Sequence, residues 1–505
     1  MVISFNLTLG FLVGSFCSFL GKSLTDSVRD NGEKLFGNFK IYDEKVYALV
    51  DRDGYLLVED ADLATFQALT EDGGFYLARD KNHVYSGNQI VPDLQPEAVR
   101  QIGNNYYTDG VSTYYLPPIT EPIIQRDLVE EVFDSIWRQI NLKEQSQNYQ
   151  YLISPLKTGK ENYQSLLNGL VVKNDKWAYY LGEQLPDADI NHLKLLPEIS
   201  DDEQHDSYRY LTDGHHVYYK NKLMTLTYHD NLYSIASVDF NHDFLIDGKD
   251  GSLYLEDQLL DDTHAPYQLV TTYSSRLNQI LFTGTDGIYF YNFDTKKLER
   301  AGENPFKNSD YQEIAPLVFS NGQTILAIDT YEKRKSSNDS IGKMDYWATT
   351  INQLELSVVP DKLVKVADVF GGSSIWQNGD LFYYFDNLGS QLEMLDDYIN
   401  QKTQEELSEK LVPVYQIANQ ETLTSLLEKD DVSVDEFVRN LIDNGKLIPV
   451  LSNPIVEART HYNPATVTIK LESWFKLAFA LFVIIAIFVL VFILLHYIYV
   501  KRNYN

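Results

Sequence analysis

The sequence predicts a mainly β protein built from repeated β-hairpins, with a small helical region and one C-terminal transmembrane helix. Short strand-forming runs recur behind Asp-containing turns at an almost constant spacing, and one long apolar segment lies near the C-terminus of the 505 residues. Apolar residues make up 44% of the chain, so its bulk has the composition of a globular protein. We expect the hairpins to form either a propeller-like ring or a stacked open array.

The repeat is clearest in three segments, each of which combines a turn with a short strand. They are residues 80–90 (DKNHVYSGNQI), 175–185 (DKWAYYLGEQL) and 213–223 (DGHHVYYKNKL). Weaker copies lie at 42–50, 109–116, 250–260 and 285–298, and Asp43 and Asp80 are 37 positions apart, as are Asp213 and Asp250. Asp and Gly favour the turn, and Val-Tyr-Tyr favours the strand. One such hairpin cannot bury its own apolar face, so neighbouring units must stack.

Single helical turns are expected after several hairpins, at residues 60–69, 95–102 and 187–196. In each of these segments an acidic or polar residue precedes apolar positions at three-to-four spacing. A longer helix is predicted to interrupt the repeat within about residues 120–148, since residues 124–140 place their apolar side chains on one face. We expect this helix to pack on the repeat array, with docking of a partner as the alternative.

With these motifs the chain resembles the bacterial DKNYP family of repeat proteins. The likeness rests on residues 80–85 (DKNHVY) and 175–180 (DKWAYY) and covers about residues 40–260. The family's Asn-Tyr-Pro core is absent, because His83 follows Asn82. The resemblance implies a bacterial origin and a repeated β-rich envelope module, and it implies no reaction.

The predicted domain organisation follows from changes in these patterns. Residues 24–264 form the DKNYP-like β repeat domain and residues 265–390 a second, propeller-like β region. Residues 391–473 are predicted as a helical region and a stalk, with helices around 405–411, 421–429 and 434–444 and Gly445 as a C-cap. Residues 332–345 are polar and basic and are expected to form an exposed loop. The competing arrangement is two separate β domains divided near residue 265.

Residues 477–500 are predicted to span a lipid bilayer. This segment contains no Asp, Glu, Lys or Arg, and 24 helical residues reach about 36 Å, enough for a hydrocarbon core of about 30 Å. Trp474, Tyr497 and Tyr499 stand where aromatic side chains favour the headgroup region. Residues 501–505 would be a short tail.

Residues 1–23 and the tail determine the predicted orientation. The first segment is apolar but has no charged side chain before Lys22, so it is either an atypical export signal or membrane-associated segment, or a buried element. Lys501 and Arg502 after the span favour a cytoplasmic tail, and hence an exported domain at a bacterial cytoplasmic membrane. The alternative is a tail-anchored protein whose domain is cytoplasmic. Cys17 is the single cysteine, which excludes an intrachain disulfide and a thiolate zinc site.

The net charge of −30 restricts the possible partners. Such a surface repels nucleic acid and attracts basic proteins. The 36 tyrosines supply both strand-forming residues and rigid contact area for recognition. We therefore expect a protein partner, possibly basic, or a glycan, together with the bilayer at residues 477–500.

No catalytic, cofactor-binding or metal-binding residue is predicted. Asp51-Arg52-Asp53-Gly54 is the nearest fragment to a calcium loop, but Leu49 stands where the first ligand should be. His215 and His216, with His229, His242 and His264, suggest a metal, yet adjacent strand residues point to opposite faces. Residues 371–374 (GGSS) lack the spacing of a nucleophile elbow.

These observations favour a non-enzymatic, membrane-anchored binding or scaffold protein of the bacterial envelope. A more specific alternative is an immunity-type inhibitor of a basic toxin, because the net charge of −30 would attract such a toxin. The alternative from another class is a carbohydrate-active envelope hydrolase that uses two acids, although no acid pair stands out among the 72 Asp and Glu residues.

Overall fold

The computed structural model describes residues 24–70, 75–123, 147–235, 242–307, 309–335, 343–355, 362–370, 373–386, 414–429 and 434–461. Four predicted segments lie outside these residues: the N-terminal segment, the helices at 124–140 and 405–411, and the transmembrane segment at 477–500. Within the described ranges, no helix is long and apolar enough to cross a membrane. The described chain divides into two compact units, the first ending at Leu185 and the second beginning at Pro186.

Unit 1 contains four small antiparallel sheets and one two-stranded ribbon. Sheet 1 comprises β1 (Glu33–Phe36), β2 (Phe39–Tyr42), β3 (Lys45–Val50) and β4 (Gly54–Leu57), and sheet 2 comprises β5 (Gln67–Ala68), β6 (Leu77–Arg79), β7 (Val84–Ser86) and β8 (Gln89–Val91). Sheet 3 comprises β9 (Arg100–Gly103), β10 (Tyr106–Thr108), β11 (Thr113–Tyr115) and β14 (Ser154–Pro155), and the ribbon pairs β12 (Thr120–Pro122) with β13 (Tyr149–Tyr151). Sheet 4 comprises β15 (Gln164–Leu166), β16 (Val171–Lys173), β17 (Ala178–Tyr180) and β18 (Glu183–Gln184).

Unit 2 continues the same four-stranded pattern. Sheet 5 comprises β19 (Lys194–Ser200), β20 (Glu203–Thr212), β21 (His216–Tyr219) and β22 (Lys222–Thr227), and sheet 6 comprises β23 (Leu232–Ile235), β24 (Phe244–Asp247), β25 (Leu253–Leu255) and β26 (Gln258–Leu259). Parallel pairing of β19 with β23 joins these two sheets. Sheet 7 comprises β27 (Gln268–Leu269), β28 (Phe282–Thr283), β29 (Ile288–Asn292) and β30 (Lys297–Gly302).

Two five-stranded sheets complete unit 2. Sheet 8 comprises β31 (Gln312–Ala315), β32 (Val318–Ser320), β33 (Ile325–Lys335), β34 (Lys343–Leu354) and β40 (Ser452–His461). Sheet 9 comprises β35 (Val364–Asp368), β36 (Ser374–Asn378), β37 (Leu381–Phe385), β38 (Val414–Ile417) and β39 (Leu447–Pro449). The prediction of a mainly β fold of repeated hairpins is therefore confirmed, whereas ring closure stays a prediction.

Successive side chains of a strand point to opposite faces, so one sheet can contribute to two cores. Ala78 and Tyr85 of sheet 2 pack with sheet 1, whereas Leu77 and Val84 pack with sheet 3. The Tyr-Tyr pairs of the repeat follow the same rule, since Tyr107 faces sheet 2 and Tyr106 faces sheet 4. The alternation explains how two adjacent bulky residues are both buried.

Shared cores also connect consecutive sheets within unit 2. Sheets 5 and 6, 6 and 7, 7 and 8, and 8 and 9 each share one apolar cluster. Phe244 of sheet 6 lies 5.7 Å from Phe282 of sheet 7 between ring centroids. The stacking thus continues past residue 265, where we expected a domain boundary.

Three α-helices are described: α1 (Leu24–Asn31), α2 (Gln420–Leu427) and α3 (Val434–Asp443). Helices α2 and α3 pack on the second face of sheet 9 through Leu426 and Val438. The predicted helices at 421–429 and 434–444 are confirmed, and Gly445 ends α3 with φ of 67°. The amide of Gly445 donates to the carbonyl of Ile442, as expected of a C-cap glycine.

Two predicted segments differ from the structure. Residues 446–473 were expected to form a stalk, but β39 and β40 lie within them, and β40 pairs along β34 from Leu354 to Tyr346. Part of the loop expected at 332–345 belongs to β33 and β34, which contain 11 and 12 residues. The sequence of these strand ends is charged and has no alternating apolar pattern, so it is typical of a loop.

Candidate functional site: the repeat turns and an acidic edge

The turn before the third strand of sheet 2 is held by one carboxylate. Asp80 Oδ1 accepts the backbone N–H groups of Asn82 and His83, both at 2.7 Å. Its Oδ2 accepts the backbone N–H of Asp62 and the Tyr85 hydroxyl, both at 2.8 Å. Because Asp62 lies in the connection that leads into sheet 2, Asp80 fastens that connection to the turn. We call this arrangement the carboxylate clamp.

The clamp sets the protonation states of its two titratable members. Burial alone would raise the pKa of Asp80, but the N–H groups of Asp62, Asn82 and His83 and the Tyr85 hydroxyl hold it below its usual range. Burial, and then the hydrogen bond to Asp80, raise the pKa of Tyr85 far above its ordinary value. The carboxylate therefore stays charged and the phenol stays neutral at physiological pH, which suits a structural contact.

Asp109 and Asp213 occupy the same position in sheets 3 and 5. Asp109 Oδ1 accepts the N–H groups of Val111 and Ser112 at 2.8 and 2.7 Å, and Oδ2 accepts that of Gln95 at 3.0 Å. Asp213 Oδ1 accepts the N–H groups of His215 and His216 at 2.9 and 2.6 Å, and Oδ2 accepts that of Asp189 at 2.9 Å. Despite the cost of burial, these hydrogen bonds also lower the pKa of Asp109 and Asp213.

In sheet 4 the clamp residue is Asn174, whereas the repeat pattern of the sequence predicts Asp175 at this position. Asn174 Oδ1 accepts the N–H groups of Lys176 and Trp177, both at 2.9 Å. Asp175 Oδ1 instead accepts the N–H of Lys160 at 3.0 Å, in the connection into the sheet. The clamp residue stands four positions before the third strand in sheets 2, 3 and 4, and three positions before it in sheet 5. The position of the clamp is therefore fixed by where the third strand begins.

Tyrosine hydroxyls form a second repeated contact, which joins one sheet to the next. Tyr106 lies three positions before Asp109; its hydroxyl donates to the Tyr179 carbonyl at 3.1 Å and accepts the Gly182 N–H at 2.8 Å. Tyr210 lies three positions before Asp213, and its hydroxyl contacts the carbonyls of Asp243 and Glu256 at 2.9 and 3.0 Å. Buried phenols need such partners, so much of the tyrosine content has a structural explanation.

In unit 2 the clamp turns and the connections between sheets form one continuous acidic edge. We define this acidic edge as residues 187–192, 213–216, 228–231, 247–251, 261–267 and 284–287. Backbone hydrogen bonds join neighbouring parts of it: Tyr228 to His215 at 2.8 Å, Tyr267 to Gly251 at 2.9 Å and Thr285 to His264 at 3.0 Å.

The acidic edge contains nine Asp residues and one Lys, a net charge of −8 with neutral histidines. Seven of these Asp residues are exposed: Asp187, Asp189, Asp230, Asp250, Asp261, Asp262 and Asp286. Negative groups packed along one edge concentrate a field that attracts cations and basic proteins. This edge is the strongest candidate recognition surface in the described part of the chain.

Most histidines considered as metal ligands pair with separate aspartates. The pairs are His216 with Asp213 at 2.8 Å, His229 with Asp247 at 2.9 Å and His264 with Asp286 at 3.0 Å. His242 stacks on Phe293 instead. His215 lies in the turn before β21, so its ring approaches that of His216 to 4.7 Å rather than pointing to the other face. Among the described residues, no group of three or more His, Cys, Asp or Glu could hold a metal ion.

The Asp51-Arg52-Asp53-Gly54 fragment anchors the base of the insertion. Asp53 Oδ2 accepts the N–H groups of Asn148 and Tyr149, both at 2.7 Å. The Arg52 guanidinium lies over the Tyr149 ring at 5.2 Å. These contacts give Asp53 a structural role in the fragment that most resembles a calcium-binding loop in the sequence.

The serines of the GGSS segment are buried in sheet 9. Ser373 Oγ accepts the Tyr384 hydroxyl at 3.1 Å, and Ser374 Oγ accepts Trp376 Nε1–H at 2.8 Å. Both serine hydroxyls are buried and hydrogen-bonded to aromatic residues of the core, which is typical of a structural role. A nucleophilic serine would have to be accessible to its substrate.

One acid pair that sequence reasoning missed lies where sheets 5 and 6 join. Burial, and then the neighbouring charge of Asp243, raise the pKa of Glu198 above its usual range. Asp243 itself pairs with Arg209 at 2.5 Å and accepts the Tyr219 hydroxyl at 2.9 Å. Pairing of β19 with β23 brings these acids together, and no local motif marks them. The pair places two carboxyl groups near each other where these sheets join.

The stacked sheets, clamp turns and bridging tyrosines define a β-repeat protein. Residues 39–222, which begin at β2 and end at the start of β22, match the model of the DKNYY family. This match confirms the resemblance to a DKNY-type repeat family. No curated protein and no solved structure matches the chain.

Proposed function

We propose that this chain is a non-catalytic, membrane-anchored β-repeat scaffold of the bacterial envelope, whose acidic edge holds a basic protein partner. The observation that carries the proposal is the acidic edge itself, with seven exposed Asp residues and one Lys on a continuous surface. Hydrogen bonds hold its backbone in place, so its charges are preorganised for binding. The anchor would be residues 477–500, with the large domain exported and the short tail in the cytoplasm.

The contacts of the clamp carboxylates and the bridging tyrosines support a binding role. The clamp carboxylates accept backbone N–H groups, and the bridging tyrosines are buried with hydroxyls that contact carbonyls of the next sheet. These contacts stabilise the stack and leave the exposed acids of its edge for recognition. A repeat array offers a broad surface of this kind without a buried reactive centre.

The proposal is tested by neutralising the acidic edge while keeping its shape. The edge variant carries Asp187→Asn, Asp230→Asn, Asp250→Asn and Asp262→Asn, which keep an acceptor oxygen at each position. The matched control carries Glu203→Gln, Asp206→Asn, Asp294→Asn and Asp310→Asn, four exposed acids of unit 2 away from that edge. Wild type, edge variant and control are purified from solubilised membranes at low and high salt.

We expect a basic protein to copurify with the wild type and the control at low salt, and to be lost from the edge variant. Retention should fall at high salt, because exposed charges are screened. Equal retention by the edge variant and the control would refute the acidic edge as the binding surface. A partner that proves to be a secreted basic toxin would establish the more specific immunity-type function.

A carbohydrate-active hydrolase is the second candidate, and the Glu198–Asp243 pair is the observation that favours it. Glu198 with a raised pKa would donate the proton, and Asp243 would be the nucleophile or base. Incubation with peptidoglycan and common polysaccharides tests this candidate. Release of reducing ends that disappears in Glu198→Gln, but persists in Glu203→Gln, would replace the scaffold function by hydrolysis.

A further inference from the structure

Besides β20 of sheet 5, which has 10 residues, the longest described strands of unit 2 are β33, β34 and β40. They contain 11, 12 and 10 residues, whereas the strands of sheet 7 contain two to six. At their far end, Tyr346 pairs with Lys333 on one side and with His461 on the other. We call residues 332–335, 343–347 and 459–461 the ribbon end. In the sequence, more than a hundred positions separate residues 332–335 from residues 459–461.

The chain leaves unit 2 at the ribbon end. Because β40 is antiparallel to β34, its last residue, His461, lies beside the start of β34. The predicted transmembrane segment begins at Leu477, after the 15 residues 462–476. A connection of that length spans at most about 50 Å even when fully extended. The ribbon end is therefore the described part of unit 2 that is closest along the chain to the predicted span.

The ribbon end is basic in a strongly acidic protein. The sequence places Lys333, Arg334, Lys335 and Lys343 on its two paired strands. With Arg459 and the two acids Glu332 and Asp345, the ribbon end has a net charge of +3, against −30 for the whole chain. On β40, the exposed Arg459 lies over the Tyr346 ring at 4.2 Å, and the His461 ring lies 5.6 Å from it. Cationic residues beside tyrosine and tryptophan are typical of the lipid–water interface.

We propose that the ribbon end binds anionic phospholipid headgroups and holds unit 2 against the membrane surface. The proposal rests on the membrane anchor of the proposed function and adds a second contact, at which Lys and Arg meet lipid phosphates. The acidic body of the protein would be repelled by the same lipids, so the two effects together orient unit 2 with its ribbon end toward the bilayer.

The test uses the full chain in lipid nanodiscs, with Cys17→Ser and Met344→Cys providing one fluorophore at the ribbon end. One disc type contains phosphatidylcholine alone and the other about 30% phosphatidylglycerol, enough to make the surface anionic. A headgroup-linked nitroxide quenches the fluorophore when it lies near the surface. We expect severalfold stronger quenching in the anionic discs, and a loss of the difference at about 500 mM salt, where the Debye length is a few ångströms.

A charge-matched pair of variants separates the ribbon end from the overall charge. Lys333→Gln, Arg334→Gln, Lys335→Gln and Lys343→Gln should reduce quenching in anionic discs to the level of neutral discs. The control Lys222→Gln, Lys249→Gln, Lys296→Gln and Lys297→Gln removes four exposed charges of unit 2 elsewhere and should retain the difference.

Each other outcome overturns the proposal for an identifiable reason. Equal quenching in both disc types, with the chain incorporated, refutes the ribbon contact and leaves the anchor intact. Failure of the chain to enter discs refutes the anchor and the ribbon contact together. Salt-sensitive dimerisation in detergent that is lost with the four ribbon charges would assign the ribbon end to a second copy of the chain.

Discussion

The Tyr85 hydroxyl donates a hydrogen bond to Asp80 Oδ2 across 2.8 Å, at a carboxylate that also accepts three backbone N–H groups. One side chain thus orders a turn, a neighbouring connection and a core tyrosine. Asp213 repeats the arrangement with Tyr218, whose hydroxyl lies at 3.3 Å. The clamp explains why an acidic residue recurs in the repeat at a position that is buried.

Removing the clamp carboxylate of Asp80 should destabilise unit 1. Asp80→Ala leaves three N–H donors without their acceptor and should lower the free energy of unfolding by roughly 2 to 4 kcal/mol. Asp80→Asn should cost less, since Asn174 performs the turn contacts in sheet 4. Urea denaturation measures both, with the exposed Asp93→Asn as a control expected to change stability by under about 0.5 kcal/mol. Equal losses for Asp80→Ala and Asp93→Asn would contradict the clamp.

The bridging hydroxyl of Tyr106 should stabilise the packing of sheet 3 on sheet 4. Tyr106→Phe keeps the ring but leaves the Gly182 N–H and the Tyr179 carbonyl without this partner, at a cost of about 1 to 3 kcal/mol. Thermal unfolding of this variant is compared with Tyr42→Phe, which alters a partly exposed tyrosine of β2. A fall in Tm no larger than that of the control would show that the bridge contributes no stability.

The clamps should make the protein sensitive to acid. The folded-state pKa values of Asp80, Asp109 and Asp213 lie below those of an unfolded chain, about 3.9. Their stabilisation is therefore complete above about pH 4 and is lost as the pH falls through the folded values. Urea midpoints measured from pH 6 to pH 2.5 should decline, and Asp80→Asn should decline less steeply. An unchanged slope in the variant would contradict the assignment.

Asp329 should act in the opposite direction. Burial raises its pKa to about 7, although the Thr330 N–H at 2.8 Å lowers it. The folded state then retains a proton that the unfolded state loses near pH 4, so stability falls as pH rises from about 4 to about 7. Asp329→Asn should raise Tm by a few degrees at pH 8 and leave it nearly unchanged at pH 4. A gain of the same size at both pH values would exclude titration of Asp329 as the cause.

The sequence determined the repeat, the mainly β fold and the C-terminal helices, because these follow from local properties. Turn-forming Asp and Gly, strand-forming Val and Tyr, and the helical spacing of residues 434–444 each act within one segment. The DKNY-type resemblance had the same basis, since its motif spans a single turn and strand. The shift from Asp175 to Asn174 shows the limit of this reasoning, because two adjacent residues suit the turn equally well and only the pairing of β17 selects one.

The tertiary structure alone decided which distant residues meet. The acidic edge exists because each connection bonds to a turn of the stack, and the Glu198–Asp243 pair exists because β19 pairs with β23. Likewise, β40 pairs with β34, although about a hundred residues separate the two strands in the sequence and the sequence of β40 predicts a stalk. Such contacts depend on the packing of whole sheets, and no local pattern encodes them because their energy is gained only after the chain has folded back on itself.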